Sequence, residues 1–358
     1  MVAVRREWSG AVELDVAVGE GGQRENCRAL AYPALVGRPE PGDAVLLNTT
    51  ALAMGLGTGG YAMVVAVPDR LPQDPSGPGH LVKARYTPLQ ATVLGADEQE
   101  SPFHEVMRDA DGLDGMPVIV ADLHSALPAI LAGLYGSLPP GRPRPRVAYV
   151  MLDGGALPAW FSMSCARLRE VDWLCGVVTV GQAFGGDVET VTTHTGLLAA
   201  RHVLDAEVAI VAQGPGNLGS GTRWGFSGVA AGEALNAAAV LDGRPVAALR
   251  VSEGDARERH FGVSHHSLTA YGRVALARAQ VVVPELPGEF GERVAKQAEE
   301  LSGRHDLVHV PVDGLEELLR ASPVRLSSMG RGLDEDRACF LASAAAGRHA
   351  AALLSGAR

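Results

Sequence analysis

The sequence predicts an α/β fold, a doubly wound and mostly parallel sheet in three α/β/α layers, preceded by a β-rich, barrel-like domain. Two observations carry this prediction. The first hundred residues hold short apolar runs without helical patterning between them. From residue 117 onward, short apolar runs alternate with helix-length segments, which is typical of parallel strands covered on both faces. We therefore expect a β-rich domain over 1–98, an α/β domain over 99–325 and a C-terminal helix within 326–358 that packs on it.

The N-terminal strands are predicted from alternation and turns. The run VELDVAV at 12–18 alternates apolar and acidic residues, as a half-buried strand does. DAVLLNTT at 43–50 and YAMVVAV at 61–67 follow, and four prolines mark a loop over 68–79. Residues 80–96 can return as a strand pair. Several short strands without helices favour a small barrel or a sandwich.

The α/β domain is predicted from six apolar runs, each followed by a segment long enough for a helix. A further helix and strand are expected over 291–312. In open α/β sheets, ligands bind beyond the carboxyl ends of the strands, so the polar loops after these runs are the candidate site. The six runs are PVIVAD (117–122), RVAYVMLD (146–153), LCGVVTVG (174–181), EVAIVAQ (207–213), RPVAALRVS (244–252) and AQVVVPE (279–285).

Charge and composition exclude several classes of protein. The net charge is −10, and no basic run is present, which argues against binding to nucleic acid or to an anionic membrane. No apolar stretch reaches 18 residues and no leader pattern opens the chain, so we expect a cytoplasmic protein. The four cysteines form no CxxC pair and are expected to be buried thiols.

The first candidate loop is glycine-rich and spans residues 211–228. Gly214, Gly216 and Gly219 satisfy the pattern GxGxxG, but a helix is predicted only from about residue 229. A dinucleotide fingerprint needs its helix to begin within the motif, and no GxxxxGK is present, so neither a conventional NAD site nor a P-loop is expected. Two interpretations stay open: a backbone nest for an anion that includes Gly221 with Arg223 as counter-charge, or a wide turn.

The second candidate loop, GQAFGGDVETVTTHTG, spans residues 181–196. Gly185 and Gly186 permit a sharp turn from strand to helix, which would place Asp187 and Glu189 in the first helical turn. His194 would then share a helix face with Asp187, about 10 Å away. These side chains could flank a ligand, or the acidic residues could simply cap the helix.

Acidic residues also end other strands. Asp153 ends the run at 146–153, Asp122 ends the run at 117–122, and His124 follows two residues later. Each alone would more often be a cap than a catalyst. Because parallel strands end at one edge of a sheet, these side chains could converge with the remaining loops.

The richest loop is SEGDARERHFGVSHHS at 252–267. Ser264 is a natural N-cap, which places His265 and His266 in a first helical turn. A positive charge is unfavourable there, so we expect neutral imidazoles that can serve as metal ligands or bases. Adjacent helical residues point about 100° apart, so one ring is expected to face the site and the other to pack. Glu253 and Asp255 are candidate acids or orienting groups.

Several strings in this chain resemble one known family. They are NTTALAMGLGTGGYAMVVAV (48–67), KARYTPLQATVLGADEQESPFHEVM (83–107), GQAFGGDVETV (181–191), QGPGNLGSGTRWGFSG (213–228) and RVSEGDARERHFGVSHHSLTA (250–270). Together they are similar to the bacterial domain of unknown function family 3866 over roughly residues 5–345. The resemblance implies a cytoplasmic, bacterial protein of a kind frequent in actinobacteria. It implies no reaction.

Three functions fit these observations. The first is an enzyme that acts on a small anionic metabolite, phosphorylated or a carboxylate, by metal-assisted hydrolysis or acid/base chemistry. Its catalytic candidates are Asp187, Glu253, Asp255, His265 and His266, with a divalent metal as the possible cofactor. The second is a regulatory protein that binds a nucleotide or another small molecule without turnover. The third is an oligomerisation module, consistent with a homo-oligomer.

Overall fold

The protein is described by a computed structural model that covers residues 1–19, 25–74 and 76–356. An eight-stranded parallel sheet flanked by helices forms its main part, and a five-stranded mixed sheet precedes it. This confirms the predicted α/β class. Among the described residues, no helix combines the length and the apolar character needed to cross a membrane.

The N-terminal sheet has the strand order β1-β2-β3-β5-β4. Only β3 and β5 run parallel. The inward side chains of β2, such as Leu14 and Val16, pack on Ala29 and Val64. The elements of this part are β1 (Ala3–Trp8), β2 (Ala11–Val18), β3 (Glu25–Ala31), α1 (Pro33–Val36), β4 (Leu46–Asn48), α2 (Thr50–Ala53) and β5 (Ala62–Ala66).

The prediction that this sheet is barrel-like is wrong, because the sheet does not close into a barrel. A barrel requires its first and last strands to pair. Within the described ranges, β1 and the three-residue strand β4 lie at opposite edges and do not pair, so the sheet is open. The predicted strand pair at 80–96 exists as β6 (Leu81–Lys83) and β7 (Ala91–Val93), but it forms a separate ladder.

The main sheet has the order β11-β10-β9-β12-β8-β13-β16-β17, with all neighbours parallel. Every residue of β8, β9, β10 and β12 is buried, as expected for strands covered on both faces. The strands from this point are β8 (Pro117–Val120), β9 (Val147–Leu152), β10 (Gly176–Thr179), β11 (Val188–Glu189), β12 (Val208–Gln213), β13 (Arg244–Ala248), β14 (Val251–Ser252), β15 (Gly262–Val263), β16 (Gln280–Glu285) and β17 (Asp306–Pro311).

Helices cover both faces of this sheet. One core contains apolar residues of α4, α5, α10 and α11, and the other contains residues of α6, α7 and α9. The helices are α3 (His104–Asp109), α4 (Leu127–Gly136), α5 (Met163–Glu170), α6 (Thr193–His202), α7 (Ala230–Val240), α8 (His265–Thr269), α9 (Gly288–Ala298), α10 (Leu315–Arg320) and α11 (Arg337–Leu354). The predicted C-terminal helix is therefore present as α11.

Two glycines let α4 and α11 pack with their backbones in contact. A Cβ on Gly133 would lie 2.0 Å from the carbonyl oxygen of Ala344, and one on Gly347 would lie 1.9 Å from that of Ile130. Neither position has room for a side chain, so this close approach requires glycine on both helices.

The segment around Asp187 differs from the prediction. Residues Val188–Glu189 form the edge strand β11 beside β10, and α6 begins only at Thr193. Thr192 and Thr195 form a reciprocal capping box that fixes this start. Asp187 and His194 therefore do not share a helix face, and the predicted pairing of these two residues is wrong.

The strands that follow β8 and β12 in the chain are added on opposite sides of this pair: β9 lies on one side and β13 on the other. From β8 the chain leaves through α4 on one face, whereas from β12 it leaves through α7 on the other face. β8 and β12 are hydrogen-bonded neighbours. Their carboxyl ends therefore form a topological switch point, where ligand sites of open α/β sheets occur.

Candidate functional site

Polar side chains from three strands meet at this switch point. Asp122 follows β8, Gln213 ends β12 and Arg250 follows β13. Gln213 donates from Nε2 to the carbonyl oxygen of Asp122 at 2.8 Å, and Arg250 Nη1 lies 3.5 Å from the Asp122 carboxylate. All three side chains are buried, so this strand-end network is shielded from solvent.

Beside this network lies a cluster of three histidines, His260, His265 and His266. Each ring offers a nitrogen, and these three nitrogens lie within 4.8 Å of one another. The short antiparallel pair β14–β15 closes the loop between residues 253 and 261 and returns His260 to the start of α8. Ser264 caps α8 by accepting from the amide of His266. Chain geometry thus places the three imidazoles together.

Each imidazole has a nitrogen without a hydrogen-bond partner among the residues that the structure describes. His260 Nδ1 lies 2.7 Å from Ser264 Oγ. His266 Nδ1 lies 3.1 Å from Arg250 Nη1 and 3.5 Å from the Asp122 carboxylate. The buried Nε2 of His265 has no hydrogen-bond partner among the described residues. These contacts hold the rings of His260 and His266 by Nδ1, and their Nε2 atoms have no hydrogen-bond partner in the described parts of the chain. Because Arg250 can only donate, His266 can bind a metal through Nε2 only when its Nδ1 is released by Arg250 and donates to Asp122 instead.

The environment favours neutral rings. Burial, reinforced by the Arg250 charge, lowers the pKa of His260 to about 3. Burial also lowers the pKa of His265 to about 4, with the neighbouring His266 adding to the shift. Neutral imidazole is the form that binds metals. For His265 the main cause of the lowered pKa is burial rather than the helix dipole on which the sequence prediction relied.

The Asp122 carboxyl is ionised at the back of the cluster. Its burial alone would raise its pKa, but the hydrogen bond from His266 and the charge of Arg250 outweigh this, so the pKa lies below its ordinary value. A carboxylate behind a ligating histidine fixes the ring and raises its basicity. Phe226 stacks on the face of the His266 ring with a centroid separation of 3.7 Å. His266 is therefore held at its Nδ1 edge and on one face.

The donor set fits a transition-metal ion such as zinc. Three imidazoles around one tetrahedral zinc, each at about 2.0–2.1 Å, would stand roughly 3.3 Å apart, so a small inward movement of the rings would complete the site. Imidazole suits zinc, copper, iron and nickel better than it suits magnesium or calcium. Three protein ligands leave a fourth position for water or substrate, which is the arrangement of catalytic zinc sites.

The family model described as Protein of unknown function (DUF3866) matches residues 28–347. The chain belongs to this family. The resemblance seen in the sequence is therefore confirmed. A comparison with curated proteins finds no match. The whole histidine cluster and the strand-end network lie inside the region of this DUF3866 protein that the family model matches.

The structure places both predicted histidines in one cluster. The centroids of His265 and His266 are 4.5 Å apart, and both rings approach His260 to 4.9 Å. The expectation that adjacent rings diverge is wrong here. No preceding turn restricts rotamers at the first turn of a helix, so neighbouring side chains can converge there.

Glu253 and Asp255 hold the histidine loop in place. Glu253 accepts from the amide of Ala338 at 2.9 Å, at the start of α11. Asp255 is buried and pairs with Arg257 at 2.7 Å and with Arg331 at 3.5 Å. The hydrogen bonds from Arg257 lower the pKa of its carboxyl. Both carboxylates are occupied by these partners, so the geometry gives them an orienting place in the loop.

Asp187 lies far from the histidines. Its carboxylate accepts from Arg169 at 2.8 Å and from the amide of Val177 at 2.8 Å. It adjoins the edge strand β11, which is five strand spacings from β13, or roughly 24 Å at about 4.8 Å each. Gly185 and Gly186 lie at the same edge, where a Cβ on Gly186 would come within 2.7 Å of the carbonyl oxygen of Val177.

Asp153 and the glycine loop lie closer to the switch point. Asp153 accepts from the amide of Gln182 at 2.8 Å, just beyond β9. Gly214 packs on the loop after β9, since a Cβ there would lie 2.3 Å from the carbonyl oxygen of Ala156. Gly216, with φ +86°, and Gly221, with φ +82°, occupy turns that require positive φ.

The distal half of the glycine loop is a small hairpin. Gly219 bridges Phe226, and the amide of Ser220 donates to Gly225 at 2.7 Å. Arg223 lies at its exposed tip. Helix α7 starts at Ala230, after the hairpin. The loop therefore leads Phe226 onto His266, and only its first part, residues 214–217, lines the switch point.

Sequence reasoning did not assign His260, Arg250 or Phe226 to the site. For His260 a signal was present, because three histidines occur within seven residues at 260–266. No sequence signal pointed to Arg250 or Phe226. The place of Arg250 depends on which strands are neighbours, and that of Phe226 depends on the path of the hairpin.

Proposed function

We propose that this protein is a metal-dependent enzyme in which His260, His265 and His266 bind one divalent transition-metal ion. The observation that supports this most is the convergence of three imidazole nitrogens within 4.8 Å, and the buried Nε2 of His265 has no hydrogen-bond partner among the described residues. An unpartnered buried polar atom is costly, and a metal ion would satisfy it.

The proposed chemistry is hydrolysis of a small anionic metabolite. A divalent ion held by His260, His265 and His266 would supply Lewis-acid activation of water at neutral pH. Asp122 would accept the Nδ1 proton of His266, which requires Arg250 to leave that nitrogen and pair with the carboxylate alone.

Metal content tests this proposal directly. The purified protein should carry close to one zinc, manganese or iron per chain by inductively coupled plasma mass spectrometry. His265→Ala should lose the ion, whereas His194→Ala, which changes an exposed histidine in α6, should keep it. Metal-loaded wild type should then hydrolyse at least one member of a panel of phosphate esters and carboxyl amides. An equal metal content in both variants, or none in the wild type, would overturn the site.

A further inference from the structure

A separate cleft lies at the switch point, next to the histidine cluster. Its volume is about 230 Å³, below the roughly 300–1,000 Å³ of pockets for drug-sized ligands. It lies between the carboxyl ends of β8 and β12, the start of α5 and a segment that precedes α11. Its lining includes His124, Ser164, Gln213, Gly216, Asn217 and Arg325.

The cleft is rich in hydrogen-bond donors that the protein does not use. The amides of Gly216 and Asn217 have no partner in the described parts of the chain, nor does the amide of Ser164 in the first turn of α5. Arg325 makes no ion pair with any described residue, although it lines the same cleft. Free amides and an unpaired guanidinium are what an anion requires.

Gln213 marks the floor of this cleft. It is 2% exposed, and its Nε2 donates to the carbonyl oxygen of Asp122 at 2.8 Å and to Asn217 Oδ1 at 3.1 Å. Ser125 joins Ser328 by a hydrogen bond of 2.9 Å, which fixes the segment that carries Arg325 against β8. The walls of the cleft are thus positioned by the fold rather than by a ligand.

We propose that this cleft binds the anionic group of a small metabolite, with Arg325 as its counter-charge. The proposed occupant is a phosphoryl or carboxylate group. Arg223 was the counter-charge expected from sequence, but it lies at the exposed hairpin tip. Ser227 donates to Asn217 at 2.8 Å and follows Phe226, which stacks on His266, so the cleft and the cluster adjoin.

Calorimetric titration of metal-stripped protein with inorganic phosphate and, separately, with malonate tests this assignment. One of the two anions should bind, and which one binds identifies the group. Arg325→Gln should weaken that binding at least tenfold, whereas Arg223→Gln should leave it unchanged. Because Arg325 is exposed, circular dichroism should show an intact fold in both variants.

Binding of neither anion, or equal loss in both arginine variants, would overturn the assignment. Anion binding in the cleft does not depend on the proposed function. The inference rests on the proposed function only where it makes the bound anion part of the enzyme's substrate. His265→Ala should still bind the anion while losing the metal. A protein that binds metal but no anion would thus refute the cleft alone, and one that binds the anion but no metal would refute the enzyme proposal alone.

Discussion

At the scale of single residues, the site depends on a carboxylate that no hydrophobic pattern reveals. Asp122 is 3% exposed and lies against both Arg250 and His266. If it orients His266 for a metal, Asp122→Asn should reduce metal affinity by about 10- to 100-fold. It should also destabilise the fold by about 3–5 kcal/mol, because the buried Arg250 loses its partner. Competition titration with a chelating dye measures the affinity.

Asp153→Asn is the matched control, since Asp153 also follows a strand of the main sheet but pairs with a loop amide. It should leave metal affinity unchanged. Equal affinities for wild type and Asp122→Asn would show that the carboxylate is not part of the metal site.

His124 gives a prediction that is independent of any metal. Burial lowers its pKa to about 4, with Nδ1 beside Tyr149 and Nε2 beside Ser162. The unfolded chain takes up a proton near pH 6.5, so this contribution to stability is present above that pH and is lost as the pH falls towards 4. The loss is at most about 3 kcal/mol. Urea unfolding between pH 7 and 4.5 should therefore show a smaller decrease for His124→Gln than for wild type. Parallel decreases would refute this origin.

At the scale of elements, strand positions could be predicted because a doubly covered strand is apolar throughout. The six runs of the α/β region correspond to β8, β9, β10, β12, β13 and β16. The edge strand β11 could not be predicted, because it has only two residues and is defined by its pairing with β10. The helix start at Thr193 depended on a threonine capping box, whereas Asp187 offered an equally plausible but incorrect cap.

The glycine loop gives a test at this scale. A Cβ on Gly214 would meet the carbonyl oxygen of Ala156 at 2.3 Å, whereas one on Gly219 would meet only the oxygen of Gly225 at 3.9 Å. Gly214→Ala should therefore cost about 1–3 kcal/mol of stability by overpacking, and Gly219→Ala should change it by less than about 0.5 kcal/mol. Urea midpoints measure both. Similar midpoints for the two variants would mean that the loop is not fixed against the chain after β9.

At the scale of the whole molecule, the class of fold could be predicted from the alternation of strand and helix patterns along the sequence. Which loops lie next to one another in the folded protein could not. The order of strands decides that Asp122, Gln213 and Arg250 meet, and that Asp187 lies at a distant edge. Strand order is set by the pairing of strands that are far apart in the sequence. The hydrophobic periodicity of one sequence does not show which strands pair. His265 and His266 could be predicted as site residues because they lie in one local segment, whereas their approach to His260 was not predicted.

The predicted boundary near residue 98 also belongs to this scale, and it stays a prediction. Lys83 is buried, and its amine donates to the carbonyl oxygens of Ala183 and Thr190 beside the main sheet. We therefore expect limited proteolysis to cut within 68–79 and to leave a resistant fragment that starts near residue 80. N-terminal sequencing of that fragment measures the cut. Cleavage within 117–285 instead would contradict the division into two parts.

The central claim is that three histidines share one metal ion, and X-ray absorption at the zinc K edge of zinc-loaded protein tests it most directly. The account predicts three imidazole nitrogens and one further light atom at about 2.0–2.1 Å. In His265→Ala the imidazole contribution should fall by one ring or the zinc should be lost. A first shell of oxygens alone, or a spectrum that His265→Ala leaves unchanged, would contradict it.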